Sequence, residues 1–255
     1  MLGLLLLLSI LQMPVSATDN VLAQVPQGLS MEDALWRECP LGDYVADAVR
    51  EGTGAQIALI PSGVLKNTLA GGCVTEAELA QLLWADEAVY VCTLTAPQLK
   101  ALMEDSVSFW RLSERETLDG DASAYSGFLQ ISGFTITADA TAAVGERVVS
   151  IAVDGQPLEL GQSVSITAAL PASLKGELPG NPTEGSLLTL IRGHITRQGT
   201  VEAPNSGRIR VIGAHAQDLT VLASPWFLVL LLAVFLINAV LSTDRGAQTE
   251  RSGNR

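Results

Sequence analysis

The sequence predicts an α+β fold: one layered domain built on a mixed sheet, followed by a C-terminal transmembrane helix. Three observations carry this expectation. Helix-period and strand-period stretches alternate irregularly, which disfavours a purely parallel sheet. Asp154-Gly155 lies between two apolar runs and is a favoured two-residue hairpin turn, so at least one strand pair is antiparallel. Residues 219–241 include the run PWFLVLLLAVFLINAVL, which is long enough to cross an apolar bilayer core of about 30 Å.

The elements follow in order. Residues 18–29 are expected to be a linker. Ser30 is positioned to cap a helix with Asp33 in its first turn. Pro40 interrupts, and Leu41, Tyr44, Val45, Ala48 and Val49 have helical spacing, which predicts a second helix over 41–50. Gly52 and Gly54 end it. Residues 56–60 form a short apolar strand, and Pro61-Ser62-Gly63 a turn. Thr75 and Glu78 are spaced as a capping box, so a helix starts there and runs to about Trp84. Residues 88–94 read as a strand. Thr95, with Pro97 in the first turn, starts a helix that reaches about Phe109. The polar stretch 111–126 is a loop. Strands are expected over 128–137, 147–153, 157–160, 163–169 and 208–212, with a helix over 187–197. The layered domain therefore covers residues 30–213.

Both ends carry apolar runs. Residues 2–15 are apolar, with Val15 and Ala17 at the −3 and −1 positions, which reads as a secretory signal over 1–17. At the other end Trp226 suits a bilayer interface, and Arg245, Arg251 and Arg255 keep the tail 242–255 in the cytoplasm. The expectation is a single-pass membrane protein. Its ectodomain lies outside the cytoplasm, periplasmic or extracellular, with the membrane itself as one partner.

Charge and residue types exclude several functions. The formal net charge is −12, and an acidic surface repels phosphate backbones, so nucleic acid is not expected as a partner. Cys39, Cys73 and Cys92 lack zinc-site spacing. They are compatible with one disulfide plus a free thiol, or with three buried thiols. The two histidines, His194 and His215, stand in no catalytic motif. No cofactor is expected.

Six blocks, taken in order, resemble the C-terminal, substrate-recognition domain of the 5′-nucleotidase family. Residues 38–48, ECPLGDYVADA, resemble the opening helix, usually E-x-x-L-G-N-x-x-A-D-A. Residues 58–66, ALIPSGVLK, resemble A-L-x-N-S-G-G-I-R. Gly72-Cys73-Val74-Thr75 resembles G-x-I-T. Residues 125–133, YSGFLQISG, resemble G-G-F-L-Q-V-S-G. Residues 153–158, VDGQPL, resemble V-x-G-x-P-L, and Gly207-Arg208-Ile209 resembles the closing G-R-I.

The resemblance implies the fold above and a place for a nucleoside. In similar enzymes the Asn and Arg of the N-S-G-G-I-R loop hold the ligand, and two aromatic rings sandwich the base. The preceding metallophosphatase domain supplies two metal ions, which would activate water and clamp the reacting oxygens. No such ligand motifs occur in these 255 residues. Carried over, the substrate-binding candidates are Phe128, Lys66, Ser62 and Gly63, with no catalytic and no metal-binding residue.

The chain departs from the family pattern at the site. Pro61 replaces the Asn, and Lys66 replaces the Arg, keeping the charge without the planar fork. The second ring is absent near Lys175-Gly176-Glu177. Trp84, Trp110 and Tyr125 are the rings available to replace it. Phe128 also fits an alternating strand facing a core, and Lys66 a solvated loop. The resulting expectation is a membrane-anchored, non-catalytic module linked to nucleotide catabolism. It would bind a nucleoside or a separately encoded metallophosphatase chain. The alternatives are a hydrolase half that acts only with that domain supplied, and a structural ectodomain without ligand.

Overall fold

The computed structural model describes residues 20–112, 118–120, 127–159, 165–205 and 207–214. The chain begins with β1 (Val21–Val25), α1 (Pro40–Thr53) and β2 (Ile57–Pro61), followed by a 3-10 turn at Ser62–Val64. Then come β3 (Gly72–Thr75), α2 (Glu76–Ala80), β4 (Ala88–Thr95), α3 (Ala96–Ser106), β5 (Trp110–Leu112) and β6 (Leu118–Gly120). β7 (Leu129–Ser132), β8 (Phe134–Asp139), β9 (Val148–Val153), β10 (Gln156–Pro157) and β11 (Ser165–Pro171) follow. The remainder is α4 (Ala172–Lys175), β12 (Gly180–Ser186), α5 (Leu187–Gln198) and β13 (Ile209–Ile212).

A five-stranded sheet in the order β12-β4-β11-β2-β7 forms the middle layer. Its β11–β2 pair is parallel and the other pairs are antiparallel. β2 shows why this sheet is covered on both faces. Ala58 and Ile60 join one apolar cluster and Ile57 and Leu59 the other, all four fully buried. A strand covered twice needs a continuous apolar run, and residues 57–60 supply it. α1, α5 and the β1–β3 ribbon cover one face. α3 and a second sheet, β10-β9-β8-β13, cover the other. The expected mixed-sheet, layered α+β architecture is observed.

The membrane part of that expectation is corrected. Among the described residues no helix is long and apolar enough to cross a membrane. The longest, α1, has 14 residues, or about 21 Å at 1.5 Å per residue, against the roughly 30 Å needed. Residues 219–241, on which the span was expected, lie outside the described residues. The transmembrane helix, the single-pass anchoring, the membrane as a partner and the location drawn from them are therefore dropped from the functional reading. The expected signal over 1–17 also lies outside the described residues.

Local differences have local causes. The helix expected after Ser30 is a series of turns, because Asp33 adopts φ 59°, a left-handed conformation that stops a right-handed helix. Pro40 is the first residue of α1 rather than an interruption, and the Cys39 thiol caps it by accepting from Gly42 N at 3.3 Å. The single strand expected over 128–137 is two strands in different sheets. It breaks at Gly133, where φ is +83° and any side chain would collide with the Gln56 carbonyl. Residues 21–25, expected as linker, pair with β3. All three cysteines are free, Cys39 and Cys92 buried and Cys73 exposed.

Candidate functional site

β2 and β11 run parallel, so their carboxyl ends open on the same side of the middle sheet. Ligands of open α/β sheets favour that side. A cleft of about 330 Å³ lies there. Pro61, ending β2, and Gly63, in the 3-10 turn after it, form one wall, and Ser173 and Leu174 in α4, after β11, form another. Gly127 and Leu129 approach from the start of β7, and Leu102 and Asp105 from α3. Trp84 and Glu87, in the loop before β4, complete it.

The four candidate residues stand in different relations to this cleft. Gly63 lines it. Ser62 is fully buried behind it, where its hydroxyl accepts from Gln130 Nε2 at 3.0 Å. The Ser62 amide donates to the Phe128 carbonyl at 2.7 Å and so ties the turn to β7. Phe128 has no exposed surface and packs on Trp110, ring centroids 6.3 Å apart. Its ring is part of the lower core and does not line the cleft. Lys66 is half-buried outside the cleft lining, with Nζ 3.1 Å from Gln81 Oε1 and 5.4 Å from the Trp84 ring centroid.

Of the rings weighed as replacements, Trp110 is buried and Tyr125 lies outside the described residues. Trp84 is 69% exposed and lines the cleft. Sequence reasoning gave no means of choosing it. The only signal was a tryptophan placed after a helix and before the acidic pair Asp86-Glu87. Leu174, not an aromatic residue, stands where α4 reaches the cleft.

Two carboxylates, Glu87 and Asp105, line the cleft, and none of its described lining residues is basic. Glu87 Oε2 accepts from Ser173 N at 2.8 Å, which fastens α4 to the loop before β4. Asp86 beside it accepts from Leu188 N at 2.9 Å and Ser186 Oγ at 2.7 Å, at the start of α5.

A buried polar lattice beneath the cleft explains several of the sequence blocks. Gln130, fully buried, donates through Nε2 to the carbonyls of Ala34 and Arg37 and accepts from Cys39 N at 3.0 Å. Its side chain crosses Gly42 so closely that a Cβ there would overlap it. The Glu38 carboxylate accepts from the amides of Gly207, Arg208 and Ile209 at 2.9–3.2 Å. Arg208 pairs with Asp47 at 2.7 Å and donates to the Ile131 carbonyl at 2.6 Å. Among the described residues no N–H or hydroxyl donor reaches either oxygen of the fully buried Asp43. Its carboxyl faces Glu38 instead, and burial first, then the Glu38 charge, pushes it up to about 9.

The described histidine is a packing residue. His194 is buried edge-on against Tyr44, with Nδ1 3.3 Å from Glu51 and Nε2 3.0 Å from Gln198 Nε2. Burial holds it below its ordinary value. His215 lies outside the described residues. Among the described residues no group of His, Cys, Asp and Glu is arranged to hold a metal ion. They do not fit the two metals that the wider enzyme family implies, and no step through a metal is derived for this chain.

The described residues form a three-layer α+β domain with a cleft at the carboxyl ends of its parallel strands. A family model described as the 5′-nucleotidase C-terminal domain matches residues 15–167. The chain belongs to that family. The similar solved structures include a 5′-nucleotidase precursor from Thermus thermophilus, with 23% identity, a TM-score of 0.64, and coverage of 75% of this chain and 39% of that one. A sulfate thiohydrolase from the same species gives 20% identity and a TM-score of 0.61, with coverage of 77% and 36%. The NAD nucleotidase of Haemophilus influenzae gives 14% and 0.61, with 76% and 38%. At these identities the likeness establishes the fold. The chain spans 36–39% of the length of these three proteins. A comparison with curated protein sequences returned no match.

Proposed function

We propose that this domain is a nucleoside-binding module of the 5′-nucleotidase type. It does not cleave phosphate esters by itself, and hydrolysis requires a metallophosphatase domain supplied from elsewhere. One observation supports this most. The block carrying Pro61 to Gly63 and the block opening on Gly127, which the family uses around its nucleoside, border one cleft. The arrangement of roles follows. Gly63 gives the ligand close access to backbone. Ser62 and Phe128 hold that wall from behind, and Lys66 stands beside the Trp84 ring.

Thermal unfolding of the full chain with and without millimolar adenosine tests the binding. A ligand that binds only the folded state stabilises it by about 2.7 kcal/mol at a hundredfold excess over its Kd. The expected result is a raised Tm. No rise with adenosine, guanosine, cytidine or uridine would end the nucleoside reading. Metal-dependent phosphate release from AMP by the chain alone would overturn the non-catalytic part.

A further inference from the structure

We propose that α4 is a lid on the cleft and that Glu87 is the latch that holds it closed. This rests on the cleft being the ligand site and adds how access to it is controlled.

α4 forms its wall of the cleft through Ser173 and Leu174, yet it is lightly held. None of its four residues is buried. It has no cap of its own, because Pro171 stands at the capping position and supplies no side-chain acceptor. Pro171 is also the last residue of β11, paired with Val89 of β4, so this end of the turn is a fixed pivot. At the other end Gly176 adopts φ 48° and ψ −128°, a conformation that residues with a side chain rarely take up. A glycine there absorbs a change of chain direction, as hinges of lids do. A one-turn element without a buried side chain belongs to the part of a fold that opens at least cost.

The contacts that hold α4 down are unequal. Glu87 Oε2 accepts from Ser173 N at 2.8 Å, a charge-assisted bond of the stronger kind. Lys175 Nζ lies 5.2 Å from the Tyr90 ring centroid on β4, and with both residues half-buried this is a weaker attraction. Glu87 is itself well anchored. Its carbonyl accepts from Leu187 N at 2.9 Å, and the neighbouring Asp86 carboxylate accepts from Ser186 Oγ and Leu188 N. The chain at 86–87 is thereby fixed to the start of α5, and the Glu87 side chain crosses from that fixed point to α4. Breaking its bond to Ser173 frees the wall that carries Leu174 and leaves the rest of the cleft in place.

The test is the distance between spin labels on two walls of the cleft, at Ala172→Cys on α4 and Ala101→Cys on α3. It is read by double electron–electron resonance on the full chain carrying Cys73→Ser. Both label sites are exposed, and the remaining described thiols, Cys39 and Cys92, are buried. The parent should give one narrow distance. Glu87→Ala should add a second, longer distance and raise the open-to-closed ratio about tenfold or more. Glu87→Gln keeps an acceptor for the Ser173 amide and should restore the single distance. Millimolar adenosine should return the Glu87→Ala chain to the short distance. A distribution unchanged by Glu87→Ala overturns the proposal, as does one broadened equally by Glu87→Gln. Adenosine that raises the Tm without moving the Glu87→Ala distance overturns the lid. Adenosine that fails to raise the Tm at all ends the nucleoside reading instead, and the distances measured without it still decide the latch.

Discussion

Asp43 should make this fold less stable as pH rises, and Asp43→Asn should remove that weakness. The carboxyl has no exposed surface and no N–H donor, and it faces the Glu38 carboxylate. Glu38 already accepts from three amides of the 207–209 segment. Asp43 then carries the proton and donates it to Glu38. The sign follows from its raised value. The stabilising contribution is fully present below the unfolded value of 3.8 and is lost as pH rises through the folded value of about 9. At pH 7 the unfolded chain has released this proton and the folded chain has not. The cost is about 1.4 kcal/mol per pH unit above 3.8, on the order of 4 kcal/mol. An asparagine donates to Glu38 without titrating, and its carbonyl oxygen can turn to Arg208, 3.8 Å from the present carboxyl. Its second N–H has no evident acceptor, which returns about 1–3 kcal/mol. The net gain expected at pH 7 is about 1–3 kcal/mol, or a urea midpoint higher by roughly 1 M. At pH 4 the titration cost is gone and the unpaired N–H remains, so the gain should turn into a loss of about 1–3 kcal/mol. Urea unfolding of the full chain and of Asp43→Asn at pH 4, 7 and 8.5 measures this. Equal midpoints at pH 7, or parallel pH profiles, would refute the shared-proton arrangement.

Two further predictions concern the lower layer. Arg147, buried, donates to the carbonyls of Val107, Ser108 and Trp110 at the end of α3, while Glu104 accepts from the amides of Arg147 and Val148. Arg147→Met should cost about 3–5 kcal/mol, because it leaves the carbonyls of Val107, Ser108 and Trp110 without their donor. A loss under about 1 kcal/mol in urea unfolding would count against this clamp. Phe128→Ala should cost about 3–5 kcal/mol through the cavity it leaves beside Trp110, whereas Trp84→Ala should change stability by under about 0.5 kcal/mol. A reversed order would mean that the core and the cleft have been assigned to the wrong rings.

The layered fold was legible because its causes are local. Helical spacing from Leu41 to Val49, the capping box at Thr75, the helix start at Thr95 and the Asp154-Gly155 turn all stand in the structure. What failed depended on contacts far away in sequence. β12, GNPTEGS, has the composition of a loop and becomes an edge strand only because β4 is there to pair with it. β1 similarly needs β3. Trp84 could not be assigned to the cleft from sequence, because α3, α4 and β7 reach it from residues far along the chain.

Set beside the family pattern, the blocks separate by physical role. Glu38, Gly42, Gln130, Gly133 and Arg208 are retained, and each makes a contact that a substitution would break: a carboxylate on three amides, a crossing too close for a side chain, or a guanidinium buried against Asp47. None of these five lines the cleft beside Trp84. The departures Pro61 for Asn and Lys66 for Arg lie in the cleft wall or beside Trp84, and near Lys175-Gly176-Glu177, where the second ring is absent, Leu174 lines the cleft. A recognisable fold with an altered pocket is the expected result when the framework is constrained by packing and the site by its ligand. The resemblance therefore supports the architecture strongly and the ancestral ligand weakly. Asp43 is the instructive exception: it is a framework position where Asp stands for Asn, and a buried carboxyl imitates an amide only while it keeps its proton.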